Sequence, residues 1–335
     1  MFDILKNLCN LDATSGEEKS VRDFIISEIK DYCEYRVDNL GNIIAFKKGK
    51  KESVKKLMLD AHMDEVGLII TSVTEDGFLK FKTVGGIDVS ALMFRTVKIG
   101  GSVNGVVSGK PIHLIGGDER KKLPKAESLY IDIGASSRAE ALEHISLGDR
   151  AVLCGDFEEN EQNIISKALD DRVGCAVLIK LIKEFDEYDF YASFSVQEEV
   201  GLRGAKVSAY AINPDSAIVL ESTTASDIAG VGDADKVCSL GQGVAISFMD
   251  GATVYDREYY NFALNSGLAC QPKTAVAGGN NSGAIHLSRE GVKTIAMSLP
   301  CRYIHSSTSV ASKRDCESMY AMAKYMITGI CGGKI

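Results

Sequence analysis

Apolar residues recur at two spacings along the chain, and each spacing predicts a different kind of element. From Val21 to Ile29 they recur at helical spacing. The segment Ser15 to Glu18 precedes this series and has the form of a capping box, a serine followed three residues later by glutamate. We therefore predict two helices within residues 1–33.

Short apolar and β-branched runs predict strands elsewhere. The pattern of these runs differs between residues 66–163 and the rest of the chain. Residues 66–163 hold short alternating stretches punctuated by glycine, which is typical of a small, mostly β domain, with one helix near residues 136–145. Before and after this segment, strand patterns alternate with helical ones, as in α/β domains. We therefore predict an α/β domain formed by residues 1–65 and 164–335, with the β domain inserted into it.

Composition excludes several classes of protein. The 335 residues are 45% hydrophobic and 25% charged, which indicates a large folded core. A net charge of -8 gives no basic field for nucleic acid or an anionic membrane, and the longest apolar runs are far shorter than a membrane span. Nine cysteines without a C-x-x-C pair, and an N-terminus without signal-peptide features, predict free thiols in a cytoplasmic protein. The expected partner is a small molecule.

Polar clusters stand where strands are predicted to end, which is where open α/β sheets bind ligands. His62 and Asp64 are two apart on an extended segment, so they point to the same side, and the carboxylate can accept the second ring N–H of the histidine. Taken alone, this pair is also compatible with an ordinary core or surface histidine beside an acid.

Paired acids mark the next two clusters. Asp170 and Asp171 precede a small, apolar helix start, where one acid can cap the helix and leave the other free for a metal. The pattern leaves capping and metal binding equally open. Glu198 and Glu199 follow the strand predicted at 190–196 and precede Gly-x-x-Gly, which favours a site over a solvated sheet edge. One carboxylate of such a pair can bind metal while the other remains free as a base.

A second histidine and a further acid complete the candidate set. His305 follows a strand predicted to end at Pro300, and Glu221 follows the strand predicted at 217–220. Nitrogen and oxygen ligands in this combination suit two zinc-like or cobalt-like ions, with open coordination left for water. The sequence therefore predicts a dinuclear metal centre with five ligands.

Longer stretches resemble one family, the cytosolic dinuclear metallo-aminopeptidases that include bacterial glutamyl aminopeptidase and the archaeal tetrahedral (TET) aminopeptidases. The resemblance runs nearly end to end and includes SGEEKSVRDF, DNLGNIIAFKKG, AHMDEVGLI, ALDDRVG, VQEEVGLRGA and RYIHSS. The inserted segment, with VGGIDVSALMFRTVKI, GVVSGKPIHL and LYIDIGASS, is similar to the PDZ-like or barrel-like second domain of that family.

This resemblance implies a mixed-sheet α/β/α metallopeptidase domain, with the inserted β-barrel mediating oligomer contacts and roofing the site. The implied activity is hydrolysis of the N-terminal residue from short peptides, with two divalent metal ions per subunit. Zinc is the first choice of metal, and cobalt or manganese are alternatives. The implied assembly is a tetrahedral dodecamer.

The resemblance also assigns roles to residues. It implies two ligands for each ion and one that bridges both: His62 with Glu221, Glu199 with His305, and the bridging Asp170. It makes Glu198 the general base and Asp64 the residue that orients His62, and it implies a cis peptide bond between Asp170 and Asp171.

Two departures from the family pattern concern the site. Glu221 stands where many relatives carry aspartate, with Asp227 as the less favoured substitute. Residues 278–283, Gly-Gly-Asn-Asn-Ser-Gly, replace the usual Gly-Gly-Thr-Asp-Ala-Gly and so lack one carboxylate near the site. For an acid-selective pocket, Arg257 and Arg302 are the candidate cations, and either could instead form a structural ion pair.

Two alternative functions are an endoglucanase-type glycosidase and a non-catalytic peptide-binding scaffold. A glycosidase needs two carboxylates placed across a sugar, whereas the acids here occur together with histidines in a metal-ligand order. A scaffold would be favoured if a ligand of the metal centre were missing, and the sequence supplies all five.

Overall fold

Helices lie where the apolar spacing predicts them, including two near the N-terminus. The computed structural model describes residues 1–117 and 122–335. In that part of the chain the α-helices are α1 (Phe2–Cys9), α2 (Lys19–Ile29), α3 (Arg138–His144), α4 (Leu169–Glu184), α5 (Arg203–Ile212), α6 (Arg257–Leu264), α7 (Ser282–Ile285) and α8 (Lys313–Cys331). Short 3-10 helices lie at Val89–Ala91, Ile112–Leu114, Ala126–Ser128 and Asp233–Asp235.

The strands of the described residues fall into two systems, a large mixed sheet and a closed barrel. In chain order they are β1 (Glu34–Val37), β2 (Ile43–Lys47), β3 (Leu57–His62), β4 (Gly67–Val73), β5 (Leu79–Val84), β6 (Thr96–Ile99), β7 (Val103–Ser108), β8 (Tyr130–Asp132), β9 (Arg150–Leu153), β10 (Glu158–Glu159), β11 (Asn163–Ser166), β12 (Phe190–Ser195), β13 (Ser216–Thr224), β14 (Val244–Ser247), β15 (Cys270–Lys273), β16 (Lys293–Arg302) and β17 (Ser309–Ser312).

The large sheet has its longest apolar strands in the middle. Its order is β1-β2-β12-β3-β13-β16-β17-β11-β10, with β14 beside β16 and β15 beside β14. The central strands β12, β3, β13 and β16 are parallel neighbours, and every residue of β3 is buried. A strand buried at every position needs helices on both faces of its sheet. Helices α4 and α8 pack on these strands, as do α5 and α7. This arrangement confirms the predicted mixed α/β fold.

The barrel is antiparallel and closes in the order β4-β5-β8-β7-β6-β9. Alternate residues of its strands point inward and form a second apolar core, separate from that of the large sheet, with Leu68, Ile70, Leu79, Val97 and Ile131 among its members. The predicted barrel-like second domain is therefore present. Its strands run from Gly67 to Leu153, and the exact domain limits at 66 and 163 stay a prediction.

Three local predictions are wrong. Ser15 does not cap α2, whose N-cap is Glu18, and no side-chain hydrogen bond caps that helix. Strand β16 does not end at Pro300 but continues to Arg302, because its last residues pair with β17. Strand β13 extends beyond Leu220, so Glu221 lies within the strand, paired with Ser298 of β16.

Within the described residues, none of the helices combines the length and the apolar character that crossing a membrane requires.

Candidate metal centre

Parallel strands deliver the first residues of the site to one edge of the large sheet. His62 is the last residue of β3 and pairs with Ser195, the last residue of β12. Glu198 and Glu199 follow three and four residues later. Glu221 reaches the same edge from β13, which also pairs with β3. Since carboxyl ends of parallel strands share an edge, these side chains converge although they are far apart in sequence.

The Asp170 carboxylate lies at the centre of the cluster and has a different histidine on each oxygen. Its Oδ1 is 3.5 Å from Nε2 of His62, and its Oδ2 is 3.1 Å from Nε2 of His305. On one side, Oε2 of Glu221 is 3.4 Å from the His62 Nε2. On the other, Oε1 of Glu199 is 3.2 Å from the His305 Nε2. The structure thus brings together all five predicted ligands, in two halves that share one carboxylate.

Main-chain carbonyl groups orient both imidazoles. Nδ1 of His62 lies 3.0 Å from the backbone oxygen of Asp64, and Nδ1 of His305 lies 2.8 Å from the backbone oxygen of Gly86. A carbonyl oxygen can only accept, so each Nδ1 carries the hydrogen, and each Nε2 faces the carboxylates. For His62 this differs from the sequence prediction, because the Asp64 carboxylate is farther from Nδ1, at 3.5 Å.

The Asp64 carboxylate instead holds the backbone of the segment that carries the paired glutamates. Its Oδ1 accepts the N–H of Glu198 at 3.0 Å, and its Oδ2 accepts the N–H of Glu199 at 3.2 Å. Oδ2 also accepts the hydroxyl of Ser15 at 2.6 Å. Asp64 is fully buried, so these bonds fix where the two glutamates begin.

The barrel reaches the site through the glycine pair after β5. Gly85 has a φ of +82°, and a Cβ atom there would lie 2.8 Å from Val66 Cγ1 and 3.2 Å from the Cβ of Glu199. Only glycine combines this backbone conformation with so close an approach. The approach allows the next residue, Gly86, to place its carbonyl against His305.

The two acids in the first turn of α4 take different roles. The peptide bond between Asp170 and Asp171 is cis, as the family resemblance implies. Asp171 is buried, and its carboxylate accepts the N–H of Gly174 at 3.0 Å, as an N-cap does, and the N–H of His62 at 3.2 Å. The capping interpretation therefore holds for Asp171. One of its oxygens also lies within 4.8 Å of ligand atoms of His62 and Glu221. Asp171 therefore borders the half of the cluster that contains His62, whereas Asp170 lies between both halves.

Burial and crowding set the charge states of the acids. Burial raises the pKa of Glu221 to about 7 and also raises the pKa of Glu199. Burial, together with the neighbouring carboxylates, raises the pKa of Glu198 well above its usual value. Burial would also raise the pKa of Asp170, but the imidazoles of His305 and His62 hold it below its usual value. So many buried acids in one place require protons or cations to neutralise them.

The donor atoms fit divalent cations. Three buried oxygens facing the cluster accept no hydrogen bond, namely Asp170 Oδ1, Glu199 Oε1 and Glu221 Oε2. Ligand atoms about 2.0–2.1 Å from a tetrahedral zinc ion would lie about 3.3 Å apart. The four nitrogen-to-oxygen distances in the cluster, 3.1 to 3.5 Å, bracket that value.

The other candidates from the sequence lie outside the cluster. Arg302 donates to both carboxylate oxygens of Asp227, at 2.7 and 2.9 Å, so this arginine forms a structural ion pair and Asp227 is not a substitute ligand. Arg257 begins α6 and lines a surface depression with Asn261 and the C-terminal Ile335. Neither arginine stands as an open cation beside the cluster.

The unusual asparagines are buried beneath the site. Asn281 donates to Asp60 Oδ2 at 2.7 Å and to Ser195 Oγ at 2.8 Å. Burial raises the pKa of Asp60, two residues before His62, to about 6. Asn280 donates to the hydroxyl of Tyr255 at 2.9 Å. The Asn281 amide therefore supports the strand that carries His62.

Sequence reasoning assigned no role to a buried ion network beside the cluster. Glu65 binds Lys167 at 2.8 Å and Arg172 at 3.2 Å, and it also accepts the N–H of Ala13 at 3.1 Å. Lys167 and Arg172 flank the ALDD segment, so their charges beside the acids were the available signal. The network ties the segment carrying Asp170 to the one carrying His62.

Known proteins match the chain over nearly its whole length. The model of the M42 glutamyl aminopeptidase family matches residues 41–322. The glutamyl aminopeptidase of Lactococcus lactis is 32% identical, with 100% of this chain and 98% of that protein covered. Solved structures of the Pyrococcus horikoshii TET1 peptidase, described as a dodecamer and as assembling into a tetrahedron or a large octahedral shell, are 34% identical, with a TM-score of 0.85. Their alignments cover 97% of this chain and 98% of that one.

A third similar structure bears a different functional description. It comes from Thermotoga maritima, is described as an endoglucanase, is 34% identical and has a TM-score of 0.80, over 98% of this chain and 97% of that one. The family match lies within the part of the chain that the peptidase relatives cover, and the solved peptidase structures share its fold. The chain belongs to the M42 family of aminopeptidases.

Proposed function

We propose that the protein removes the N-terminal residue from short peptides, using two divalent metal ions bound by His62, Glu221, Asp170, Glu199 and His305. One observation carries this proposal: the two oxygens of Asp170 face two separate histidine and glutamate pairs. A carboxylate placed in this way suits a ligand shared by two ions.

The metals proposed are zinc first, then cobalt or manganese, because mixed imidazole and carboxylate ligands suit all three. When bound, such ions polarise a carbonyl oxygen and make water more acidic, which is the chemistry that peptide hydrolysis needs. The chain contributes the fixed geometry. Carbonyl groups of Asp64 and Gly86 hold the two imidazoles, so their Nε2 atoms are oriented before any ligand arrives.

Glu198 is the proposed general base. Its neighbour Glu199 lies 3.2 Å from His305, whereas Glu198 is not one of the five proposed ligands. Burial and the neighbouring carboxylates raise the pKa of Glu198, and a carboxylate beside the site can take a proton from the attacking water and return it to the leaving amine. Asp64, which accepts the Glu198 N–H, is the proposed positioning residue.

The experiment that tests this function is a substrate panel assayed with and without a chelator. We expect hydrolysis of one or more of the leucine, alanine, glutamate and lysine chromogenic amides, with loss of activity on chelation and recovery on adding zinc, cobalt or manganese. Carboxymethylcellulose serves as the glycosidase control and should not be cleaved. Cleavage of cellulose alone would favour the endoglucanase alternative. Absence of turnover with metals bound would favour the scaffold.

We also propose that the chain assembles into a tetrahedral dodecamer in the cytoplasm. The similarity to the TET1 structures supports the assembly, and nine free cysteines suit a reducing compartment. Light scattering should give a mass roughly twelve times the 36.1 kDa of one chain. A monomer mass at working concentrations would contradict the dodecamer and leave the peptidase proposal unaffected.

A further inference from the structure

Residues 13–18, the last part of the segment between α1 and α2, lie against the candidate metal centre, and we refer to them as the N-terminal brace. Its first residue, Ala13, exchanges two hydrogen bonds with Glu65. The N–H of Ala13 donates to the Glu65 carboxylate at 3.1 Å, and the N–H of Glu65 donates to the Ala13 carbonyl at 2.9 Å. The brace is thus fixed to the segment that carries His62 and Asp64.

Ser15 makes the shortest contact between the brace and the site. Its hydroxyl donates to the Asp64 carboxylate at 2.6 Å, and Ser15 is 4% exposed. That carboxylate accepts the N–H groups of Glu198 and Glu199. A hydrogen bond to a buried carboxylate restricts its rotation, so Ser15 sets the orientation from which Asp64 holds both glutamates.

Glu18 reaches the same segment directly. One oxygen of its carboxylate accepts the N–H of Gly16 at 2.7 Å and the N–H of Gln197 at 3.2 Å. Gln197 precedes the paired glutamates and has a φ of +55°, in the left-handed region that non-glycine residues rarely adopt. Glu18 is 5% exposed. Its acceptor oxygen therefore supports the unfavourable backbone conformation of Gln197, directly before Glu198 and Glu199.

The brace also contacts the barrel. Arg150 of β9 donates through Nε to the carbonyl of Ser15 at 3.3 Å. Gly16, with a φ of +89°, lies where a Cβ atom would be 3.2 Å from the Arg150 guanidinium. The brace therefore joins three parts of the chain: the barrel, the segment of His62, and the segment of Glu198 and Glu199.

We propose that Ser15 and Glu18 are positioning residues for the peptidase reaction, and this rests on the function proposed above. They hold the backbone of residues 197–199 at the distance from His62 that lets Glu199 and Glu198 act together. If their hydrogen bonds served folding alone, removing them would lower stability without changing the properties of the folded enzyme.

Three brace variants and one control test this role. Ser15→Ala removes the hydroxyl donor, and Glu18→Ala removes the acceptor. Glu18→Gln keeps a side-chain oxygen that can accept both N–H groups. The control is Ser216→Ala, because Ser216 is also buried and bonds to the hydroxyl of Tyr259 at 2.6 Å, but it is the first residue of β13 and precedes Glu221 in that strand. All are studied as full chains, with kcat, KM and melting temperature measured.

We expect Ser15→Ala and Glu18→Ala to lower kcat by about 10–100-fold, the usual effect of removing a partner of a metal or catalytic group, with KM changed by less than about threefold. Glu18→Gln should restore most of the kcat, and Ser216→Ala should match the wild type in kcat. A kcat equal to that of the control in both alanine variants would overturn the proposal. So would a loss in Glu18→Gln as large as that in Glu18→Ala.

Two readouts do not depend on turnover. Hydrogen exchange at the amides of residues 197–199 should be faster in both alanine variants than in the control, and cobalt affinity measured by calorimetry should fall by about 10-fold or more. Unchanged exchange and unchanged affinity would refute the brace even if the enzyme were active. An inactive wild type would refute the proposed function, while the exchange and affinity data would still decide the role of the brace.

Discussion

Replacing Glu198 with glutamine should lower kcat on the preferred aminoacyl amide by about 10²–10⁴-fold, the range typical for loss of a general acid–base group. Glutamine has nearly the same shape but cannot take up a proton. Because Glu198 is not one of the five proposed ligands, both metal ions should remain bound. The measurement is steady-state kinetics beside metal content by elemental analysis, on protein reconstituted with zinc.

Glu290→Gln is the matched control, since Glu290 is an exposed glutamate outside both the cluster and the N-terminal brace and should keep wild-type kcat. A Glu198→Gln enzyme with near-normal turnover would remove Glu198 from the mechanism. Loss of one metal together with activity would instead make Glu198 a ligand, which would reassign the two glutamates rather than the reaction.

Asp170→Asn should weaken the binding of both metal ions at once. An amide is uncharged and offers one acceptor oxygen, so it cannot supply an oxygen to each of two cations. We expect less than one ion per chain at zinc concentrations that saturate the wild type. We also expect kcat to fall by roughly 10³-fold or more, since several kcal/mol of stabilisation are lost at about 1.4 kcal/mol per tenfold change in rate.

The comparison variant is Glu221→Gln, which alters only the half of the cluster that contains His62. In a calorimetric titration, this variant should bind one ion more weakly and the other with wild-type affinity. If Asp170→Asn also lost one ion only, the carboxylate would belong to a single site, and the dinuclear assignment would fail.

Much of the fold could be predicted because the central strands are continuous apolar runs and the barrel strands alternate. The ends of some strands, and short strands such as β15, were not predicted. Pro300 signals a strand end locally, yet its strand continues because β17 lies beside its last residues. Strand β15 was missed because it is short, contains Pro272 and is only partly buried. Pairing partners decide such cases, and they are not visible in a local window.

The residues that gather in the candidate centre could be predicted because imidazoles and carboxylates are conspicuous at strand ends. Groups that orient them could not. The carbonyl of Gly86 belongs to a residue without a side chain, so no residue type marks it. Ser15 and Glu18 have the spacing of a capping box, but their partners are Asp64 and Gln197, far away in sequence. The two side chains therefore have the spacing of a local motif, but in the folded chain they contact residues that are distant in sequence.

The hydrogen bond from His305 to Gly86 has a consequence for protein engineering. The barrel cannot be treated as an interchangeable module, because it supplies a main-chain acceptor to an imidazole of the other domain. A designer who shortens or exchanges the insertion has to rebuild a carbonyl at that point in space. The same requirement restricts which loop lengths after β5 natural variants can tolerate, independently of any part that the barrel plays between subunits.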